Sequence, residues 1–130
     1  LAADTLVYGE QCFFPKPKDV LDAHEMLMKL QEMKEHDVWT GACLFAPDGR
    51  KWTRADCARV EFSPIPVEEV EKYLAGEEWK DKAGAYAIQG WAEKYASLRS
   101  GELDTVIGLA GITVLDLFRQ AALPNQAFRR

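Results

Sequence analysis

The chain has 130 residues, with hydrophobic side chains at 48% and charged ones at 28%, the composition of one globular domain large enough to bury a core. Its 16 Lys and Arg against 21 Asp and Glu leave a net charge of −5, without the positive surplus that a general grip on nucleic acid needs. No apolar run in it reaches the length of a membrane span, so neither nucleic acid nor a membrane is expected as a partner.

The first residues, Leu1-Ala2-Ala3-Asp4-Thr5-Leu6-Val7-Tyr8, read as a core strand already under way, and a preceding segment is therefore expected to pair with it. Gly9-Glu10 turns the chain, and Cys12-Phe13-Phe14 forms a short return strand stopped by Pro15 and Pro17. The period then changes. Val20, Ala23, Leu27 and Leu30, flanked by Met26 and Met33, recur at helical spacing behind Asp19, which is placed to cap the helix. The methionines are read as core packing rather than as a ligand grip.

Val38 to Ala46 and Lys51 to Phe62 form two strands joined by the turn tripeptide Pro47-Asp48-Gly49. After Ser63-Pro64-Ile65, Pro66 suits the first turn of a helix carrying Val67, Val70, Tyr73 and Leu74, and Gly76 ends it. Glu68, Glu69 and Glu71 sit near its positive end and need no other reading. Glu77 to Gly90 mixes charge, small residues and glycines as a loop. Beyond it, Trp91 to Leu98 has some helical spacing, Thr105 to Leu109 resembles a short strand, and Ile112 to Leu123 reads as a closing helix. The tail from Pro124 to Arg130 is expected to be frayed. Strands and helices interleave around at least one hairpin, which predicts an α/β fold with a mixed sheet and flanking helices.

Cys12, Cys43 and Cys57 include no C-x-x-C pair, which argues against a disulfide framework or zinc knuckle and fits a reducing cytoplasm. Cys43 and Cys57 are expected as small apolar residues on paired strands. His24 and His36 stand apart with no second histidine at a ligand spacing, so no histidine metal site is expected.

Three places hold polar residues that a plain core would not. Asp4 interrupts an apolar strand, and a carboxylate there is costly unless it is paired, bound to a metal or facing a cleft; a satisfied structural carboxylate is the competing reading. Lys16 is held extended between Pro15 and Pro17 and can act as a point charge for phosphate, or simply be solvated. Lys82-Ala83-Gly84, followed by Tyr86 and Gln89, combines charge, close backbone approach and an amide that both donates and accepts. Together these are the parts needed to attack a phosphoanhydride, where catalysis is mostly positioning and charge stabilisation.

The sequence resembles the Maf family of nucleotide pyrophosphatases. The resemblance is carried by Ala3-Asp4-Thr5, Lys16-Pro17-Lys18-Asp19 with Ala23, Val38-Trp39-Thr40-Gly41, the run from Lys82 to Gly90, and Val106-Ile107-Gly108-Leu109. It implies a two-lobed α/β fold, similar to inosine triphosphate pyrophosphatases, with a nucleotide cleft between the lobes and 1–130 as a single Maf-like domain. The implied reaction cuts a nucleoside triphosphate to monophosphate and pyrophosphate with Mg²⁺ or another divalent metal such as Mn²⁺. Asp4 is then the proton acceptor and a metal contact, Lys16 and Lys82 neutralise phosphate, and Thr5 and Gln89 match specificity positions. Ala-Tyr-Ala-Ile-Gln-Gly looks like the branch acting on dTTP and UTP rather than on 7-methyl-GTP. A homodimer is compatible with this.

Two departures stand out. The family's Ser-x-x-Arg phosphate loop does not precede Leu1, so an N-terminal part of the fold is expected to be missing. Gly108-Leu109-Ala110-Gly111 lacks the proline usual after Gly-Leu, and Leu103-Asp104 replaces an aromatic or serine pair. A catalytically silent remnant that binds nucleotide, or acts as an interaction module, is therefore the alternative.

Overall fold

Two long strands organise the chain. In the computed structural model, which describes residues 1–108 and 111–128, β3 (Glu35–Phe45) and β4 (Lys51–Phe62) pair antiparallel in unbroken register from Glu35↔Glu61 to Phe45↔Lys51. The turn between them is closed by Asp48, whose carboxylate accepts from the Arg50 backbone N–H at 3.0 Å. Gly49 there adopts φ +93°, a region glycine enters without strain.

β1 (Ala2–Gly9) lies against β3, with Val7 opposite Val38 and Asp4 opposite Gly41. β2 (Cys12–Phe14) returns along the far end of β1, from Val7↔Phe14 to Gly9↔Cys12. β5 (Ala96–Ser100) borders the end of β4. The strand order is β2-β1-β3-β4-β5, antiparallel at every pairing. Because β2 reaches only residues 7–9, the Ala2–Leu6 part of β1 has no strand on its outer side among the described residues.

Strand alternation divides the sheet into unlike faces. His36, Val38, Thr40, Ala42 and Leu44 of β3 are buried. The intervening face leaves Leu6, Phe13, Trp39 and Phe45 exposed. The four α-helices among the described residues all lie over the first face. α1 (Val20–Met33) starts at Asp19, which is extended and accepts from the Asp22 N–H at 2.8 Å, satisfying one free donor of the first turn. It buries Ala23, Met26, Leu27 and Leu30; Met33 packs at the margin of that core, and Val20, expected on the apolar stripe, is exposed. α2 (Val67–Ala75) buries Val70, Tyr73 and Leu74 and stops at Gly76, with Pro66 one position earlier than expected, at the cap. Over the other half of the face lie α3 (Leu103–Ile107) and α4 (Gly111–Phe128). There Leu117, fully buried, joins Ala42, Leu44 and Trp52 in a second, smaller core. Arg54 bridges Asp56 and Asp116 at 3.1 and 3.3 Å, and the Thr113 hydroxyl donates to Asp56. These contacts fasten α4 to β4.

Three expectations change. Trp91 to Leu98 is not helical beyond a 3₁₀ turn at Trp91–Lys94. The chain then extends as β5 because β4 offers it an edge, with Ser63 N–H donating to the Tyr95 carbonyl at 2.7 Å. Thr105 to Ile107, expected as a strand, lies in the helix α3; Leu109 lies outside the described residues. Its β-branched run favours a strand only where a neighbour can pair with it. Here the local bond from Gly108 N–H to Asp104 carbonyl, at 3.0 Å, and burial of Thr105 hold the helix instead. The tail from Pro124 continues α4 to Phe128 rather than fraying there, carried by helix formers such as Ala121 and Ala122 before it. Cys43 and Cys57 do lie on paired strands, half-buried and exposed respectively.

Candidate active site

Beside the open part of the β1 edge, bordered by Val7, Val38 and Tyr86 of the larger core, lies a cavity of about 420 Å³. Asp4 and Thr5 from β1, Lys16 from the loop after β2, and Lys82 and Gln89 from the segment after α2 all border it. These are the five residues singled out in the sequence, drawn from three separate stretches of chain. Asp81, Val106 and Gly108 border it as well.

Asp4 faces the cavity, one of the conditions under which a carboxylate on this strand is tolerated. Its side chain is not buried among apolar neighbours; it is exposed at the rim, with one carboxylate oxygen accepting from the Thr5 N–H at 2.9 Å. The desolvation cost feared for a carboxylate in this strand therefore does not arise. Thr5 points to the buried side. Its Oγ1 lies 3.0 Å from Thr40 Oγ1, and Thr40 Oγ1 donates to the Thr105 carbonyl at 2.7 Å. A hydroxyl chain thus runs from β1 through β3 to α3.

The Lys82–Gln89 segment is held by its backbone and by its buried residues, which leaves Lys82 and Gln89 for the cavity. Gly84 sits at φ +72°, where an added Cβ would come within 3.3 Å of both Val7 methyls. Its N–H donates to the Pro15 carbonyl at 3.3 Å, which ties the Lys82 and Lys16 loops together. The Tyr73 hydroxyl donates to the Ala85 carbonyl at 2.6 Å. Tyr86 is buried, its hydroxyl 2.5 Å from His36 Nε2, and both rings meet Phe62 edge-on. Among the described residues, neither the Lys16 nor the Lys82 ammonium has a carboxylate partner. Two ammonium groups without a direct ion-pair partner, on a cavity that Asp4 and Asp81 also border, can engage phosphate while the carboxylates offer sites for water or a cation.

His36 was legible only as a solitary histidine, yet it anchors this segment. Burial, and secondarily the Arg59 guanidinium, lower its pKa from 6.5 to about 4. The folded chain therefore holds His36 neutral at pH values where the unfolded chain protonates it, and unfolding takes up a proton between those limits. Stability from this group is complete above pH 6.5 and drains away as the pH falls towards about 4, by about 3 kcal/mol in all. Urea unfolding of wild type and His36→Phe across that interval checks this: the wild-type slope should be the steeper, and equal slopes would remove His36 as the cause.

Comparison with known proteins follows the same lines. The chain matches the family described as Maf-like protein over residues 1–121. It is 39% identical over 116 residues to the dTTP/UTP pyrophosphatase of Acholeplasma laidlawii (89% of this chain, 60% of that protein). It is 39% identical over 109 residues to that of Chelativorans sp. (84% and 52%), and 36% identical over 125 residues to that of Pyrococcus abyssi (96% and 66%). The chain thus spans between half and two thirds of the length of these relatives. With the match running through every strand and into α4, the chain belongs to the Maf-like protein family.

Proposed function

We propose that this chain is a nucleoside triphosphate pyrophosphatase acting on dTTP- and UTP-type nucleotides. The observation that carries the reading is the convergence of Asp4, Thr5, Lys16, Lys82 and Gln89 on one cavity; the names of its relatives support it.

In this reaction water attacks the α-phosphorus, the bond to the bridging oxygen breaks, and pyrophosphate leaves with the electron pair. Asp4, exposed at the rim, is free to take the proton of the attacking water as general base. Lys16 and Lys82 neutralise the charge that builds on the phosphate oxygens and the leaving group. Thr5 and Gln89 orient the base. The cavity lining offers carboxylate and other oxygen donors but no thiol or imidazole, which fits a hard divalent ion that takes one or two carboxylates and completes its shell with phosphates and water. Asp4 would hold Mg²⁺ or Mn²⁺, which when bound would add charge neutralisation at the phosphates.

The test is phosphorus NMR of dTTP, UTP, CTP and 7-methyl-GTP incubated with the chain and Mg²⁺. Pyrophosphate and monophosphate should appear together from dTTP and UTP, and inorganic phosphate should not. The competing reading is nucleotide binding without turnover. That reading takes over if no nucleotide yields pyrophosphate.

A further inference from the structure

The hydroxyl chain behind the cavity fixes which way Thr5 can hydrogen-bond. A threonine hydroxyl has one hydrogen to give. Thr40 Oγ1 lies 2.7 Å from the Thr105 carbonyl, an acceptor only, so the Thr40 hydrogen is committed there. The 3.0 Å contact between Thr40 Oγ1 and Thr5 Oγ1 then has one polarity: Thr5 donates and Thr40 accepts. With its single hydrogen turned inward, Thr5 has only lone pairs left for the cavity. The arrangement is well sheltered. Thr40 and Thr105 are 2% and 1% exposed, so water does not compete for the relay. On its outer side the Thr5 hydroxyl faces Gly108, where an added Cβ would lie 3.6 Å from it, and both residues border the cavity.

We infer that Thr40 is a specificity-determining positioning residue: by consuming the Thr5 hydrogen it makes Thr5 an obligate acceptor, which reads a ring N–H and turns away a bare ring nitrogen. The inference rests on the pyrimidine nucleotide reading above and deepens it. Uracil and thymine carry an N3–H that Thr5 can accept. Cytosine presents an unprotonated N3 at neutral pH, and its lone pair meets the Thr5 lone pairs with no hydrogen between them. Gln89 cannot make this distinction, because its amide turns over to offer either a donor or an acceptor. Thr5 could do the same if its hydrogen were free. The buried relay is what removes that freedom, and a site committed to one polarity rejects the mismatched edge far more strongly than shape alone does.

Equilibrium titration of UMP and CMP into the chain near neutral pH tests this without turnover. Wild type should bind UMP at least roughly tenfold more tightly than CMP, the worth of one matched against one unmatched buried hydrogen bond. Thr40→Val keeps the shape and frees the Thr5 hydrogen, so the preference should shrink by roughly tenfold, chiefly through tighter CMP binding. Thr40→Ser restores the relay and should restore the preference, a rescue that a merely structural role would not give. If Thr40→Val does not fold, wild type with UMP and its N3-methylated analogue decides: loss of binding on methylation, together with CMP rejection, supports the obligate acceptor. Equal binding of UMP and CMP by wild type, an unchanged ratio in folded Thr40→Val, or no binding of either nucleotide overturns it. Absence of pyrophosphate release with the UMP preference intact would remove the catalytic reading and leave this one standing.

Discussion

Asp4→Asn should lower pyrophosphate release from dTTP and UTP by roughly 10²–10⁴-fold, the usual worth of a positioned general base. The substitution is nearly isosteric, and the amide oxygen can still accept the Thr5 N–H that Asp4 accepts at 2.9 Å. The side chain is exposed, so its replacement disturbs little packing, and surface changes of this kind shift stability by only about 0.5 kcal/mol either way. What Asn cannot do is hold a proton taken from water. The expected pattern is therefore an unchanged melting curve, retained UMP binding and lost turnover. Turnover within about tenfold of wild type would mean that the base lies elsewhere.

Gly101→Ala should be the most destabilising of the glycine-to-alanine changes in the chain. Gly101 links β5 to the turn before α3 at φ +85°, and a Cβ there would lie 2.6 Å from the Cys57 carbonyl oxygen, 2.7 Å from Ala58 Cα and 2.9 Å from Ala58 Cβ. These obstacles belong to the backbone and Cβ of β4, where Cys57 and Ala58 are paired with Trp39 and Val38 of β3, and cannot swing aside as a side-chain tip would. The left-handed backbone costs about 1–2 kcal/mol for a residue with a Cβ, and the forced repacking about 1–3 kcal/mol more. Gly49→Ala is the control. Its φ is +93°, but nothing lies within 4 Å of an added Cβ, so it bears the backbone cost alone. Thermal unfolding followed by circular dichroism should rank Gly101→Ala well below Gly49→Ala, and equal melting temperatures would show that β4 yields at this point.

Where sequence reading succeeded and failed has a physical pattern. α1, α2 and the β3–β4 hairpin were legible because each carries its own punctuation: Asp19 before α1, Gly76 after α2, Pro47-Asp48-Gly49 between the strands. Ala96–Ser100 and Leu103–Ile107 were exchanged in type because runs of five residues are too short to establish a period. Their state was decided by the free edge of β4 and by the burial of Thr105. At the site, the five polar residues could be named because their types interrupt the local pattern. Thr40 could not be assigned a part, since its meaning depends on lying opposite Thr5 across two strands. His36 was equally opaque: its partner, Tyr86, is 50 positions away.

Neighbouring residues on one strand serve different sides of this molecule. Asp4 stands at the open rim, while Thr5 turns inward to Thr40. Under the proposed function, the peptide bond that joins them separates the chemistry from the reading of the base, so selection can alter either without rebuilding the other. The same alternation makes the pair intolerant of any change in strand length. A single residue inserted between Thr5 and the β1–β2 turn would exchange the two faces, sending the carboxylate to the helix-covered face opposite Ala42 and the Thr5 hydroxyl to the outer face opposite Gly41. Insertions should therefore be tolerated at the Pro47–Gly49 turn and purged from β1, a constraint on length rather than on residue type.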